Sequence, residues 1–434
     1  MQDSVDQVEV LIVGGGPAGL TAAAELRRLG VASVLVVERE RDAGGIPRHA
    51  AHQGFGLRDL HRPVSGPEYA RRLTERAHRA GAELRPGTQV TGWQAGGALQ
   101  LTGPSGRSSV QATAVVLATG CRERPRSARL IPGSRPQGVL TTGMLQQLVA
   151  LQGERVGARA VVVGAEHVSY SALETLARGG ARTVAMSTEL AHHQSFGIAA
   201  LAAALRFGVR LRTRTALSAI MGRERVEAVQ FTDLDTGAVE TVQCDTVVLT
   251  ADWIPDHELA VGARVLLDCG TRGPAVDGAL RTSRPGVFAA GNVLHGAEPA
   301  DVAALTGRDV AAGVTAYLSD GRWPAGRVSL SVKPPLHWIV PNSLSGDFVA
   351  PGPVPERFLL RAHEQLLDAR IELWQGNRRI GAQRLPRVMP GRSAALGADW
   401  LTQVDPAGPA VQVRAGAARA RAWRAKPSLP PPAG

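Results

Sequence analysis

An unbroken apolar run, Val8 to Val13, delivers the chain directly into Gly14-Gly15-Gly16-Pro17-Ala18-Gly19. A run that is apolar at every position reads as a central parallel strand covered on both faces. In the turn that follows, Gly14 permits a tight bend, Gly16 lets a pyrophosphate approach the backbone, and Gly19 allows close helix-strand packing. Pro17 and Ala18 open a helix that continues through Leu20 to Leu29 with its amino end toward the phosphates. A second strand, Ser33 to Val37, ends at Glu38, 19 positions past Gly19, where a carboxylate accepts hydrogen bonds from ribose hydroxyls. Strand, glycine turn, helix and acid in this order predict a dinucleotide-binding α/β unit.

Two later motifs narrow the ligand. Ala114 to Ala118 forms another buried strand that closes on Ala118-Thr119-Gly120, and Thr282 to Asn292 forms a strand ending in Gly291-Asn292 before the helical stretch Asp301 to Leu318. Together the three motifs, over about residues 8–320, resemble the flavoprotein superfamily that includes glutathione reductase and thioredoxin reductase. That resemblance implies FAD as cofactor. It assigns FAD binding to Gly14, Gly16, Pro17, Ala18 and Gly19, to Glu38 and Arg39, to Gly45, Arg48 and Val90, and to Ala118, Thr119, Gly120, Gly291 and Asn292. The family usually carries Asp where this chain has Asn292, and an Asn amide still hydrogen-bonds a ribityl hydroxyl or a phosphate oxygen.

The pattern then repeats in altered form. Strand Ala160 to Val163 leads into Gly164-Ala165-Glu166-His167-Val168-Ser169 and the helix Tyr170 to Ala177. In the resembling family this second unit binds NAD(P)H. Here Glu166 stands in place of the central glycine, adding bulk and a carboxylate where a pyrophosphate would approach, and it is better placed to satisfy the helix terminus itself. The next strand, Thr183 to Met186, ends in Ser187-Thr188, with neither the acid expected for NAD nor the Arg expected for NADP. Poor reduction by NAD(P)H follows; binding of a dinucleotide in an altered pose is the alternative.

Disulfide reductases of that superfamily place a redox cysteine pair just after the second strand. The corresponding stretch here is Gly44-Gly45-Ile46-Pro47-Arg48-His49-Ala50-Ala51-His52, with Pro47 and His52 at the thiol positions. This segment, with Ala165 to Ser171 and Gly291 to His295, is similar to the FAD-bearing subunits of opine oxidase, hydrogen cyanide synthase, sarcosine oxidase (its alpha chain) and dye-linked amino-acid dehydrogenases. The similarity implies hydride transfer from a substrate carbon to flavin N5. His49 and His52 are the bases expected to take the accompanying proton, and Arg48 the clamp for an anionic substrate group. A second role is open to all three, as bonds to loop backbone or flavin ring. His295 either faces the flavin as a further catalytic candidate or has a capping or surface role.

Composition excludes several other classes. The three cysteines, Cys121, Cys244 and Cys269, are widely separated and form no Cys-x-x-Cys pair, so bound metal and iron-sulfur clusters are not expected. The charge of +11 is scattered along the chain and nearly all Arg, which argues against nucleic acid. No apolar stretch is long enough for a membrane span, and the polar start leaves no room for a secretory signal, so a cytoplasmic location is expected.

The domain organisation expected is two Rossmann-like units plus a small β-rich one: residues 1–145 and 249–322 for FAD, 146–248 for the degenerate unit, 323–415 for a β-sandwich-like unit and 416–434 for a disordered tail. Strands in the β-rich unit are expected at Val328 to Val332, Arg357 to Arg361, Arg370 to Trp374, Ala398 to Gln403 and Ala410 to Arg414. Three functions remain open. The first is an FAD-dependent dehydrogenase or oxidase of a small amine, amino acid or hydroxy acid, within a homo- or hetero-oligomer. Its electrons would pass to oxygen, to a dye-like acceptor, or to a partner protein or second subunit. The others are an NAD(P)H-driven flavin reductase or monooxygenase, and a non-catalytic FAD-binding electron relay.

Overall fold

The structure is a computed structural model that describes residues 5–195, 203, 205–345 and 357–416. Its first strand is Val5–Val13, where Val10, Leu11 and Ile12 are wholly buried, as an apolar run covered on both faces demands. It lies between the parallel strands Val34–Val37 and Gly106–Leu117, with Val10 opposite both Val34 and Ala114. The sheet has seven strands in all, including Val287–Ala289 beside Gly106–Leu117. The first fingerprint helix, Pro17–Arg28, and the long helix Ala300–Asp320 pack together against this sheet. Their approach is close because Gly307 has no Cβ: one built there would lie 2.1 Å from the Ala18 carbonyl oxygen.

A second parallel sheet of five strands is centred on Arg159–Val163 and Thr246–Leu249, with the helix His167–Arg178 packed against it. An antiparallel ribbon, Cys121–Glu123 paired with Trp253–Pro255, runs between the two units. Trp253 lies on this ribbon.

Beyond the second unit the chain forms a β-rich unit of two sheets around a shared core that includes Phe358, Leu360, Ile371 and Val413. Four of its five expected strands appear, within Arg327–Val332, Arg357–Ala362, Leu366–Gln375 and Val411–Ala415. Ala398 to Gln403 is not a strand; Asp399–Gln403 forms a short 3-10 turn that buries Trp400 and Leu401 under the sheet, with Trp400 against Phe358 at 5.0 Å. A short apolar run carries no periodicity to separate the two conformations. The expected disordered tail falls almost wholly outside the described residues. No described helix is long and apolar enough to cross a membrane.

The β-rich unit touches both others. Arg361 donates to the Ala297 carbonyl and to Glu298, and Arg281 donates to Ser345 Oγ, tying the unit to the first domain. On its other side, Gly391 sits so close to the second unit that an added Cβ would lie 2.7 Å from Gln194 Cβ and 3.4 Å from Glu166 Cγ.

The helix contact at Gly307 generates a direct test. Gly307→Val gains little in helix propensity but forces side-chain bulk onto backbone, and overpacking of this kind costs about 1–3 kcal/mol. Urea unfolding of the variant is expected to show a lower midpoint; an unchanged midpoint contradicts the packing described.

Candidate active site

The three units enclose one cavity of about 2100 Å³. Ligand pockets commonly span about 300–1,000 Å³, so this one has room for an extended dinucleotide and a small second molecule. One wall is the first fingerprint. Gly14 has φ +110°, and a Cβ there would meet the Ala118 carbonyl at 2.4 Å, which is why the turn and the Ala118-Thr119-Gly120 crossing lie against each other. Opposite Gly16 stands Gly45, so close that a Cβ on Gly45 would come within 2.9 Å of Gly16 Cα. Gly14, Gly16, Pro17, Ala18, Glu38, Arg39, Gly45, Val90, Ala118, Thr119, Gly120 and Asn292 all line the cavity, whereas Gly19 and Gly291 stand behind it as packing positions.

Glu38 is buried and accepts from Gly15 N–H at 2.7 Å and Glu40 N–H at 2.9 Å. A carboxylate offers about four acceptor sites, so after these two bonds it retains capacity for a pair of ribose hydroxyls. The amide-lined wall, the helix start at Pro17 and the residual acceptors of Glu38 fit the ADP half of FAD. Arg39 is mostly exposed and sits 3.7 Å from Asp256. Asn292 is less available than its sequence position suggests: its Nδ2 donates to the Glu298 carbonyl and its Oδ1 accepts from Glu298 N–H, both at 3.1 Å, so it clamps its own loop and retains one amide hydrogen for a ligand.

The second fingerprint is closed from within. Ala165 N–H and Ser169 Oγ both donate to Glu166 Oε2 at 3.1 Å, and Glu166 N–H donates to Ser169 Oγ at the same distance. Ser169 Oγ also lies 2.6 Å from Thr250 Oγ1, which donates to the Val163 carbonyl. Burial raises the Glu166 carboxyl above the ordinary carboxylate range, more than these hydrogen bonds and nearby Arg129 lower it. The Ala165 and Glu166 amides of this turn are thus taken by the chain's own side chains, and Gly391 of the β-rich unit packs against Glu166.

The expected catalytic residues separate. His49 is buried beside the cavity, its Nδ1 without a hydrogen-bond partner, and burial lowers its pKa; neighbouring Gln146 and Glu40 act in the opposite direction and Arg48 with it. His52 also lines the cavity, with Nδ1 2.9 Å from the Gln53 carbonyl and its ring 5.0 Å from Phe55. Arg48 is not free to clamp a substrate: the loop folds back so that Glu40 and Asp42 hold its guanidinium at 3.1 and 3.0 Å. His295 does not reach the cavity. It is buried and stacked on Trp338 at 4.7 Å, and burial pushes its pKa down to about 4, which makes it a neutral packing residue.

Residues that carried no local signal complete the wall. Asp301, at the start of the long helix, is buried and holds Arg58 through Nη1 at 3.0 Å and through its backbone N–H at 3.1 Å. Arg361, Gly391 and Arg392 enter from the β-rich unit. Their sequence separation from the fingerprints hides them from any motif.

Residues 8–307 match the family model described as pyridine nucleotide-disulphide oxidoreductase. The chain belongs to that family. Members of this flavin oxidoreductase family typically bind FAD. One of the opine oxidase subunits of Rhizobium meliloti is 29% identical over 331 residues, covering 68% of this chain and 60% of that protein. The HcnB subunit of hydrogen cyanide synthase from Pseudomonas protegens is 35% identical over 144 residues, 31% of this chain and 29% of that one. The chain therefore spans less than two thirds of either relative's length. Among solved structures, thioredoxin reductase of T. acidophilum superposes with a TM-score of 0.61 at 22% identity, covering 73% of this chain and 99% of that one. Its likeness concerns the fold, and the family match ends before the β-rich unit.

Glu38→Gln removes the charge from the acceptor of Gly15 N–H while keeping its shape. Charge-assisted bonds of this kind contribute about 1.5–3 kcal/mol, so the FAD dissociation constant is expected to rise about 10- to 100-fold. Fluorescence titration of the apoprotein with FAD measures it, and equal affinity in the variant removes Glu38 from the cofactor site.

Proposed function

We propose that this member of the family is an FAD-dependent dehydrogenase or oxidase that takes its electrons from a small amine, amino acid or hydroxy acid and not from NAD(P)H. The observation carrying this reading is the internal closure of the second fingerprint by Glu166, Ser169 and Thr250. With these turn groups taken, the reductant is proposed to enter the cavity beside His49 and His52. Bound FAD supplies the acceptor for a hydride from the substrate carbon. The chain's own task is to hold the substrate in the cavity and to remove a proton. Buried and neutral, His49 is the base: its imidazole lines the cavity and stays unprotonated at neutral pH. His52 has one ring nitrogen engaged by its own loop and orients that loop against Phe55. Because the relatives are named as subunits, the electrons are proposed to leave through a second protein chain, with a dye-like acceptor or oxygen as alternatives.

Anaerobic mixing of the FAD-loaded protein with NADH or NADPH is expected to leave the flavin absorbance unchanged over many seconds, while a member of a panel of amines, amino acids and hydroxy acids bleaches it. Rapid bleaching by a nicotinamide nucleotide refutes the reading, and bleaching that needs an added partner chain supports the electron-relay alternative.

The pH dependence follows from the sign of the His49 shift. A base must be neutral to act, and burial holds the His49 pKa below its ordinary 6.5. The limiting rate of flavin reduction is therefore expected to stay level as pH falls through 6.5 and to drop only below it, with His49→Gln removing that acid limb. An acid limb centred at or above 6.5, or one that survives His49→Gln, excludes His49 as the base.

A further inference from the structure

We propose that residues 53–65 form a strap across the cavity, latched to the long helix by Arg58 and Asp301, and that release of this latch controls access to the interior. The inference goes beyond the proposed function and holds for any occupant of the cavity. After His52 the segment runs as the short strand Gln53–Phe55, turns through residues 56–63, and returns as Val64–Ser65 paired antiparallel to its own start. Gln53, Gly54, Phe55, Leu57 and Arg58 all line the cavity. Leu57 is also 52% exposed, so the turn faces solvent on one side and the cavity on the other, as a cover must.

The backbone marks where such a strap pivots. Gly54 has φ +112°, and a Cβ built there meets nothing within 4 Å. Glycine is therefore required at this position for its conformation and not for close packing. Two residues on, Gly56 has φ +80°, and its carbonyl accepts from Leu60 N–H at 3.0 Å, which keeps the turn a folded unit. The far end is fixed to the body. A Cβ on Gly66 would meet the Ala50 and Pro47 carbonyl oxygens at 2.2 and 2.4 Å.

Adjacent residues in the turn carry the fastenings. Arg58 N–H lies 3.1 Å from Asp301 Oδ2, and Arg58 Nη1 lies 3.0 and 3.1 Å from the two carboxylate oxygens. Asp59 Oδ2 accepts from the hydroxyl of the wholly buried Tyr69 at 2.5 Å, while Oδ1 is buried without a hydrogen-bond partner. Burial first, and the Asp301 charge as well, push the Asp59 carboxyl above its ordinary range, against the bond from Tyr69. Two carboxylates thus repel across the latch, and the Arg58 guanidinium offsets that repulsion. Release strands no charge. Asp301 remains in the first turn of Ala300–Asp320, where the helix dipole favours an anion, and keeps the bond from Val302 N–H at 2.9 Å. Arg58, whose side chain is already 48% exposed, passes into water. A pair that separates at so small a desolvation cost acts as a latch and not as a permanent tie.

The test compares the FAD-loaded full chain with its Arg58→Gln and Asp301→Asn variants in two measurements. Hydrogen exchange read by mass spectrometry is expected to run about 10- to 100-fold faster at residues 53–65 in either variant, as loss of a charge-assisted contact implies, with both parallel sheets unchanged. Quenching of the bound flavin's fluorescence by acrylamide, a neutral probe indifferent to the charge removed, is expected to strengthen in parallel. Arg58→Lys keeps the charge without the planar fork and is expected to fall between wild type and Arg58→Gln in both. The exchange measurement is repeated on the apoprotein, so the latch is judged whether or not flavin binds. Exchange at the wild-type rate in both variants, or acceleration throughout the chain, overturns the latch. Faster exchange confined to residues 53–65 with unaltered quenching overturns the strap, because the segment then covers nothing.

Discussion

The first turn of a helix leaves backbone N–H groups without intrahelical partners, and what supplies their acceptors decides what a glycine-turn unit can do. The two units of this chain answer differently. In the first, Gly14, Gly16 and Gly45 keep the helix start open to the cavity, with Glu38 braced on Gly15 and Glu40 amides beside it. In the second, Glu166 accepts from the Ala165 amide and Ser169 from the Glu166 amide, and Thr250 ties Ser169 to the underlying strand. Under the proposed function, this difference amounts to one open cofactor turn and one turn occupied by its own side chains.

The occupied turn also receives the β-rich unit. Arg361 and Arg281 fasten it to the first unit, while Gly391 rests on Glu166 of the second, so it contacts both units that the two-stranded ribbon also connects. Trp338 is the interior counterpart of this brace, with His295 stacked on it and the Arg361 guanidinium 5.2 Å from its ring. The Gly391 contact also sets the β-rich unit against the start of the second helix.

Sequence reading reached furthest where the determinants are local. Strand, turn, helix and acid around Gly14 to Glu38 lie within one stretch, and Glu166 reveals itself by its position in a fingerprint that otherwise calls for glycine. Side-chain roles set by folding back were not legible. Arg48 looked available until Glu40 and Asp42 of its own loop enclosed it, and His295 looked catalytic because Trp338, far along the chain, had no signal connecting it. Arg58, Arg361 and Arg392 line the cavity without a motif to mark them among the many other arginines. The short run at Ala398 to Gln403 failed as a strand for a simpler reason, since burial of Trp400 and Leu401 is satisfied equally well by one helical turn.

The central claim is that one crevice holds a dinucleotide and its copy cannot. Nucleotide stoichiometry tests it most directly: the purified protein is incubated with excess FAD and NADH, freed of unbound ligand, heat-denatured, and the supernatant resolved by chromatography. One FAD and no nicotinamide nucleotide per chain is the result the account predicts. A chain that retains no flavin, or that releases a nicotinamide dinucleotide in matching amount, contradicts it.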